Sequence, residues 1–207
     1  HHTQPCNAGL FHGAPMRVLV ACEYSGRVRD AFTKRGHTAV SCDLLPSDSP
    51  QGWHVRGDVL ALLGNGWDLM IAHPPCTHLA VSGARHFAAK QACGVQDEAL
   101  EFVRALMAAP IPSICIENPI SIISSRIRKP DQVIQPYMFG HLERKATCLW
   151  LKGLPKLTPT DDVKRQTMEL PANERDKVHY MPPSADRWKL RSTTYQGIAD
   201  AMASQWG

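Results

Sequence analysis

The sequence has no C-x-x-C pair although it holds seven cysteines. An odd set of thiols without that spacing, in a chain too large to need disulfide staples, points to reduced cysteines in a cytoplasm-like compartment and argues against a metal site. Ten histidines are present, yet none shows an H-x-x-x-H spacing, and His73, His78 and His86 are assigned no metal role. No apolar run approaches the roughly 20 residues of a membrane span. The N-terminus lacks the charged and apolar regions of a signal peptide, so the expectation is a soluble intracellular protein. Internal repeats and low-complexity tracts are absent from the sequence as well.

What remains is a chain of 207 residues, 43% of them hydrophobic, enough for one well-buried core and short for two domains. The formal charge of +4, from 23 Lys and Arg against 19 Asp and Glu, is a mild excess compatible with a polyanionic partner. Residues 1–15 show no periodicity and read as a disordered leader or an added extension. The expected single domain is therefore 16–207, with the polar, proline-punctuated stretch 160–189 as a small irregular insertion.

From Arg17 onward, short aliphatic runs alternate with longer amphipathic stretches, the signature of strand–helix–strand units around a parallel sheet. Strands are expected at Arg17 to Ala21, Thr38 to Cys42, Asp68 to Ala72, Ser113 to Ile116 and Thr147 to Leu151. Helices are expected at Gly26 to Arg35, closed by Gly36, at Asp97 to Ala109, and at Gln196 to Gln205. Asp43, the Pro74-Pro75 turn and Glu117 fall at strand ends, the edge where open α/β sheets bind ligands.

Two stretches carry the chemistry. In Ala72 to Gly83, AHPPCTHLAVSG, Cys76 follows two prolines at the end of an apolar strand, in a rigid turn from which a thiolate can reach a ligand. A buried structural cysteine beside a turn would read the same in isolation. In Ile116 to Pro119, Glu117-Asn118-Pro119 closes a strand preceded by an amphipathic helix, and alone it reads more often as a turn with a solvated carboxylate.

Taken together, the two stretches resemble DNA cytosine-5 methyltransferases. Pro75-Cys76-Thr77, with Ser82-Gly83 six and seven residues after the cysteine, is similar to that family's Pro-Cys-Gln loop, and Ile-Glu-Asn-Pro to its Glu-Asn-Val element. Val18 to Gly36 resembles the first cofactor element, Asp43 the acid after the second strand, and Gly57-Asp58-Val59 the Gly-Asp-Ile before the nucleophile strand. Glu143 to Trp150 resembles the basic element before a late strand, and Thr193 to Met202 weakly resembles the closing helix. The likeness runs over nearly all of 17–207 and is greatest to short phage-encoded members, for which the compartment would be the host cytoplasm. It implies a Rossmann-like, S-adenosylmethionine-dependent α/β fold with a mostly parallel sheet and a minimal target-recognition insertion. It further implies Cys76, Glu117 and Lys145 or Arg144 as catalytic residues. Gly26, Glu23, Tyr24, Asp43, Leu44, Asp58, Val59 and Pro74 would line the cofactor, and Pro75, Thr77, Ser82 and Asn118 the substrate.

The residues support this chemistry on their own terms. Carbon 5 of cytosine is too weak a nucleophile to take a methyl group until something adds at carbon 6, and a thiolate suits that task. A carboxyl group at the base edge can protonate N3 as carbon 6 is attacked, which points to Glu117. A cation at the base carbonyl would offset developing charge, with Lys145 preferred because it sits where the family's second arginine falls. The methyl donor needs a tight strand-to-helix turn, an acid for its ribose hydroxyls and a polar contact to adenine; Gly26, Asp43 and Asp58 fill these positions.

The sequence also departs from the family. Ala21-Cys22-Glu23-Tyr24-Ser25-Gly26 keeps only the last of three expected glycines, Thr77 replaces a glutamine, and Glu143 an arginine. About thirty residues stand where a target-recognition domain is usual. They hold Arg175, Lys177, His179, Tyr180, Arg187, Trp188, Lys189 and Arg191, which read equally as a phosphate grip or as a solvated surface. The expected partner is DNA, in duplex or single-stranded form, with room for a protein subunit that completes recognition. Two other readings stand beside this one: an enzyme modifying carbon 5 of a free pyrimidine nucleotide, and a non-catalytic DNA- or protein-binding relic of the fold. An adenine amino-methyltransferase fits less well, because that chemistry wants an aromatic after Pro-Pro, where Cys76 stands.

Overall fold

The computed structural model describes residues 14–81, 92 and 94–207. Their order begins β1 (Arg17–Ala21), α1 (Arg27–Lys34), β2 (Thr38–Asp43), β3 (Trp53–Arg56), β4 (Leu69–Ala72), α2 (Val95–Met107) and β5 (Ser113–Pro119). It continues with α3 (Ile123–Arg126), β6 (Gln132–Ile134) and β7 (Thr147–Lys152). Four short helices follow, α4 (Lys164–Glu169), α5 (Ala172–Arg175), α6 (Lys177–Tyr180) and α7 (Arg187–Ser192), and then the closing α8 (Gln196–Trp206).

The strands form one seven-stranded sheet in the order β3-β2-β1-β4-β5-β7-β6. β3, β2, β1, β4 and β5 pair in parallel, and β7 runs antiparallel to both β5 and β6. Strand order reverses between β1 and β4, which places a ligand-binding crevice beyond their carboxyl ends.

Both faces of the sheet are covered, and β1 shows why its sequence is apolar throughout. Val18 and Val20 enter one core with Phe32 of α1 and Ile198, Met202 and Trp206 of α8. Leu19 and Ala21 point the other way and join Met70 of β4, Leu100, Val103 and Leu106 of α2, and Trp150 of β7. A strand buried on two faces gains from both, at roughly 1.5–3 kcal/mol for each large side chain removed from water. This is the expected α/β architecture, one mostly parallel sheet with helices on both faces.

Three differences from the sequence reading bear on function. β5 does not end at Ile116: Glu117, Asn118 and Pro119 stay in the strand because β7 pairs with them, at Glu117↔Leu149, Asn118↔Cys148 and Pro119↔Thr147. Edge strands β3 and β6 were not expected. Residues 160–189, expected to be irregular, carry one-turn to two-turn helices separated by prolines such as Pro171 and Pro182. Among the described residues no helix is long and apolar enough to cross a membrane, and no cluster of three or more His, Cys, Asp or Glu could hold a metal ion.

Candidate active site

The register of the central strands builds the site. Ala72 of β4 pairs with Ile116 of β5, so the next residue on each strand, His73 and Glu117, must stand side by side where β4 ends. His73 Nδ1 and Glu117 Oε2 are 2.8 Å apart, with side chains only 9% and 15% exposed. Burial works against charge on both, but the ion pair prevails. The imidazole is held above its usual range by Glu117, and the carboxyl below its own by His73 and, more weakly, Lys145. His73 Nε2 is buried and, among the described residues, has no hydrogen-bond partner.

The Cys76 loop then follows from two prolines. Pro74 and Pro75 prevent the strand from continuing, and Leu79 and Ala80 donate to the carbonyl of Cys76 at 3.0 and 2.9 Å, closing a single turn that presents the thiol. Asn118 Nδ2 donates to Pro74 O at 2.8 Å, and Gln96 Nε2 to His78 O at 3.2 Å, so both shoulders of the loop are tied down. Burial pushes the Cys76 thiol up, and Glu117 adds to this; Lys145 and Arg191 pull it back down. Cys76 is thus within electrostatic reach of all three groups. Thr77 and Pro75 are exposed beside it. Ser82 lies outside the described residues.

Of the two candidate cations, only Lys145 faces this centre. Its ammonium donates to Arg191 O at 2.6 Å and lies 5.7 Å above the Tyr195 ring. Arg144 turns away and binds Asp176 through two bonds of 2.7 and 2.8 Å, which corrects its assignment to catalysis: a guanidinium engaged by a carboxylate on another segment is a structural strut. Glu117, Lys145, Thr147, Ser192, Thr194 and Tyr195 line a cavity of about 10 Å³, room for one water and far less than a pyrimidine ring. Tyr195 donates to Glu143 at 2.7 Å, and burial followed by that carboxylate raises its hydroxyl.

The turn after β1 is built with a single glycine. Cys22 takes the left-handed conformation, with φ of 58°, the one described non-glycine residue to do so. Gly26 has φ of 75°, and a Cβ there would lie 2.6 Å from Arg29 Nη2 and 2.7 Å from Ser49 Cβ, so only glycine fits. Glu23 does not present its carboxylate to a ligand. It accepts from Val28 N at 2.7 Å, Arg29 N at 3.2 Å and Ser25 Oγ at 3.2 Å, and is 4% exposed. That corrects its assignment to the cofactor: it satisfies the free N–H groups opening α1. Glu23→Ala is expected to cost about 1–2 kcal/mol, read as a lower urea midpoint at unchanged slope, and Glu23→Gln less.

Asp43 and Asp58 end adjacent strands, where Gly57 N donates to Asp43 O at 2.9 Å. Asp43 accepts from Leu45 N and Asp58 from Leu60 N, each at 2.9 Å, and both carboxylates reach solvent. Leu44 is 71% exposed beside them, while Val59, Tyr24 and Pro74 are buried. Burial, then Asp43, pushes the Cys22 thiol up to about 12, so it is an inert thiol at the floor of this crevice.

The sequence reading gave His73 and Tyr195 no part in this centre and placed Arg191 only in a phosphate grip or a solvated surface. The first had a signal: a histidine one residue past a strand whose register sets it beside Glu117. The other two depend on how the last fifty residues fold back, which no local pattern encodes.

No protein-family model matches the chain, and no curated protein matches it. Among solved structures it is similar to an E. coli protein described as a DNA modification methyltransferase encoded within a prophage. The two share 15% identity, with a TM-score of 0.46, over 66% of this chain and 46% of the other, so this chain spans less than half of that protein's length.

Proposed function

We propose that this chain transfers a methyl group from S-adenosylmethionine to carbon 5 of cytosine in DNA, through a covalent adduct between Cys76 and carbon 6. The observation carrying this reading is the grouping of the Cys76 thiol, the His73–Glu117 pair and the Lys145 ammonium past the end of β4, on the last residues of β5 and just before β7. A nucleophile, a proton source and a cation within electrostatic reach of one another match what addition to a pyrimidine requires.

The donor side fits as well. Cys22 and Gly26 hold the tight turn, and Asp43 and Asp58, at and just past the carboxyl ends of β2 and β3, offer solvent-reaching carboxylates for ribose hydroxyls and adenine. When bound, S-adenosylmethionine supplies an electrophilic methyl group. The chain's own residues do the rest. Lys145 and Arg191 favour the thiolate of Cys76, which attacks carbon 6. Glu117, in proton exchange with His73, delivers a proton to N3 so that the ring can accept the electron pair. Lys145 lies beside developing charge on the carbonyl oxygen. Once carbon 5 has been methylated, its proton is lost to water, the electron pair forms the carbon 5–carbon 6 double bond as the carbon–sulfur bond breaks, Cys76 leaves as thiolate, and the N3 proton returns to the Glu117–His73 pair.

The test is incubation with methyl-labelled S-adenosylmethionine and unmethylated DNA, followed by digestion and separation of the nucleosides. Label in 5-methylcytosine is the expected result. Absence of label with duplex and single-stranded DNA alike would overturn the reading in favour of a free-nucleotide enzyme or a non-catalytic relic.

A further inference from the structure

The stretch 183–195 crosses the site as a strap. Tyr24 donates to Lys189 O at 2.8 Å, Lys145 to Arg191 O at 2.6 Å, and Arg27 Nη1 to Thr194 O at 2.9 Å. Lys189 is spent on Asp48 at 2.7 Å, and Arg175 lies 3.4 Å from Asp176. Two strap guanidiniums differ: among the described residues neither Arg187 nor Arg191 forms an ion pair, and Arg187 Nε is buried with no hydrogen-bond partner. A buried donor without a partner is uncommon and calls for an acceptor.

Both arginines line an open concavity of about 300 Å³, with Pro183, Ser184 and Trp188. The Trp188 side chain is 54% exposed and rests on Tyr24, ring centroids 5.9 Å apart. Two unpaired cations with an exposed indole between them offer a phosphate contact and a stacking platform together. The volume suits one nucleotide unit. Arg191 lines the concavity and its carbonyl accepts from Lys145 at 2.6 Å, so the concavity adjoins the Lys145 side of the site.

We propose that this concavity is a nucleotide clamp for the DNA strand carrying the target cytosine, with a phosphate held by Arg187 and Arg191 and an unstacked flanking base on Trp188. The inference rests on the methyltransferase reading for the identity of the strand, and on the strap's own geometry for the contact. An unstacked base implies that single-stranded or locally opened DNA binds better than intact duplex. It also ties target entry to the strap, whose Ser192 and Thr194 close the 10 Å³ cavity over Glu117.

The experiment is fluorescence anisotropy of a labelled 12-nucleotide cytosine-containing single strand, titrated with the full chain across a salt series. Trp188→Ala is expected to weaken binding about tenfold while Trp188→Phe stays near wild type. Arg187→Gln should reduce the slope of log affinity against log salt by about 0.7. Unchanged affinity and slope in both Trp188→Ala and Arg187→Gln would overturn the clamp and leave the concavity to a protein partner. So would equal losses in Trp188→Ala and Trp188→Phe, because the stacking surface would then carry nothing. Failure here is separable from failure of the methyltransferase reading: normal labelling of DNA by Arg187→Gln with an unchanged KM removes only the clamp. Clamp-dependent binding without any label removes only the chemistry.

Discussion

Replacing Cys76 with serine is expected to abolish methyl transfer, with kcat falling on the order of 10⁴-fold to 10⁶-fold, the scale on which enzymes lose a covalent nucleophile. The change swaps one atom for another of similar size at a partly exposed position. The loop contacts at Cys76 run through its backbone carbonyl, to Leu79 and Ala80. Stability should therefore change by no more than about 0.5 kcal/mol, and DNA affinity should persist. What is lost is ionisation and intrinsic nucleophilicity, since a hydroxyl flanked by Glu117 has no base to take its proton while that carboxylate is paired with His73. A DNA strand with fluorine at carbon 5 of the target cytosine separates covalent from non-covalent action. Fluorine cannot leave as a proton, so wild-type protein should form an adduct that survives denaturing electrophoresis, and Cys76→Ser should form none. A serine variant that labels DNA at the wild-type rate would remove Cys76 from the mechanism.

The central strands were legible because burial on both faces forces long apolar runs: RVLVA, TAVSC, DLMIA and SICI can hardly be anything else. The edges were not. β3 reads Trp-His-Val-Arg and is mostly exposed, and β6 is three residues long; each is held by one neighbour, so neither needs an apolar pattern. The candidate site was partly readable, since Cys76 follows two prolines and Glu117 ends an apolar run. Its electrostatic setting was not: the His73–Glu117 bond spans 44 residues and exists only because β4 and β5 pair in one register. Asp176 captures Arg144 across 32 residues, and nothing near Arg144 in sequence foretells it. Glu23 is the instructive case. As a substituted glycine it looks like damage to a cofactor turn, yet in three dimensions it replaces solvent at the start of α1 and leaves Cys22 to supply the unusual backbone angle.

The His73–Glu117 pair yields the second large effect, and its pH dependence has a definite direction. Glu117 is held below its ordinary 4.5, so its contribution to stability is present above that value and is lost as pH falls through the depressed one. His73 is held above its ordinary 6.5, so its contribution is complete below 6.5 and is lost as pH rises through the elevated value. The pair thus stabilises most between 4.5 and 6.5, and Glu117→Gln should lower the melting temperature more at pH 6 than at pH 9. On activity the same variant should cost about 10²-fold to 10⁴-fold in kcat, the worth of a positioned general acid. The thiol works in the opposite sense. Its ionisation rises with pH towards a value above 9.0, while the shared proton disappears as His73 titrates, so the wild-type profile is bell-shaped. His73→Gln discriminates a proton-sharing role from simple packing. Without the imidazole, Glu117 must hold the proton alone, and a carboxyl group gives it up at lower pH than the paired histidine does. The alkaline limb should therefore move towards acid, with a correspondingly lower rate at neutral pH. An alkaline limb that stays in place in His73→Gln would mean that Glu117 draws its proton from elsewhere and that His73 serves only to position it.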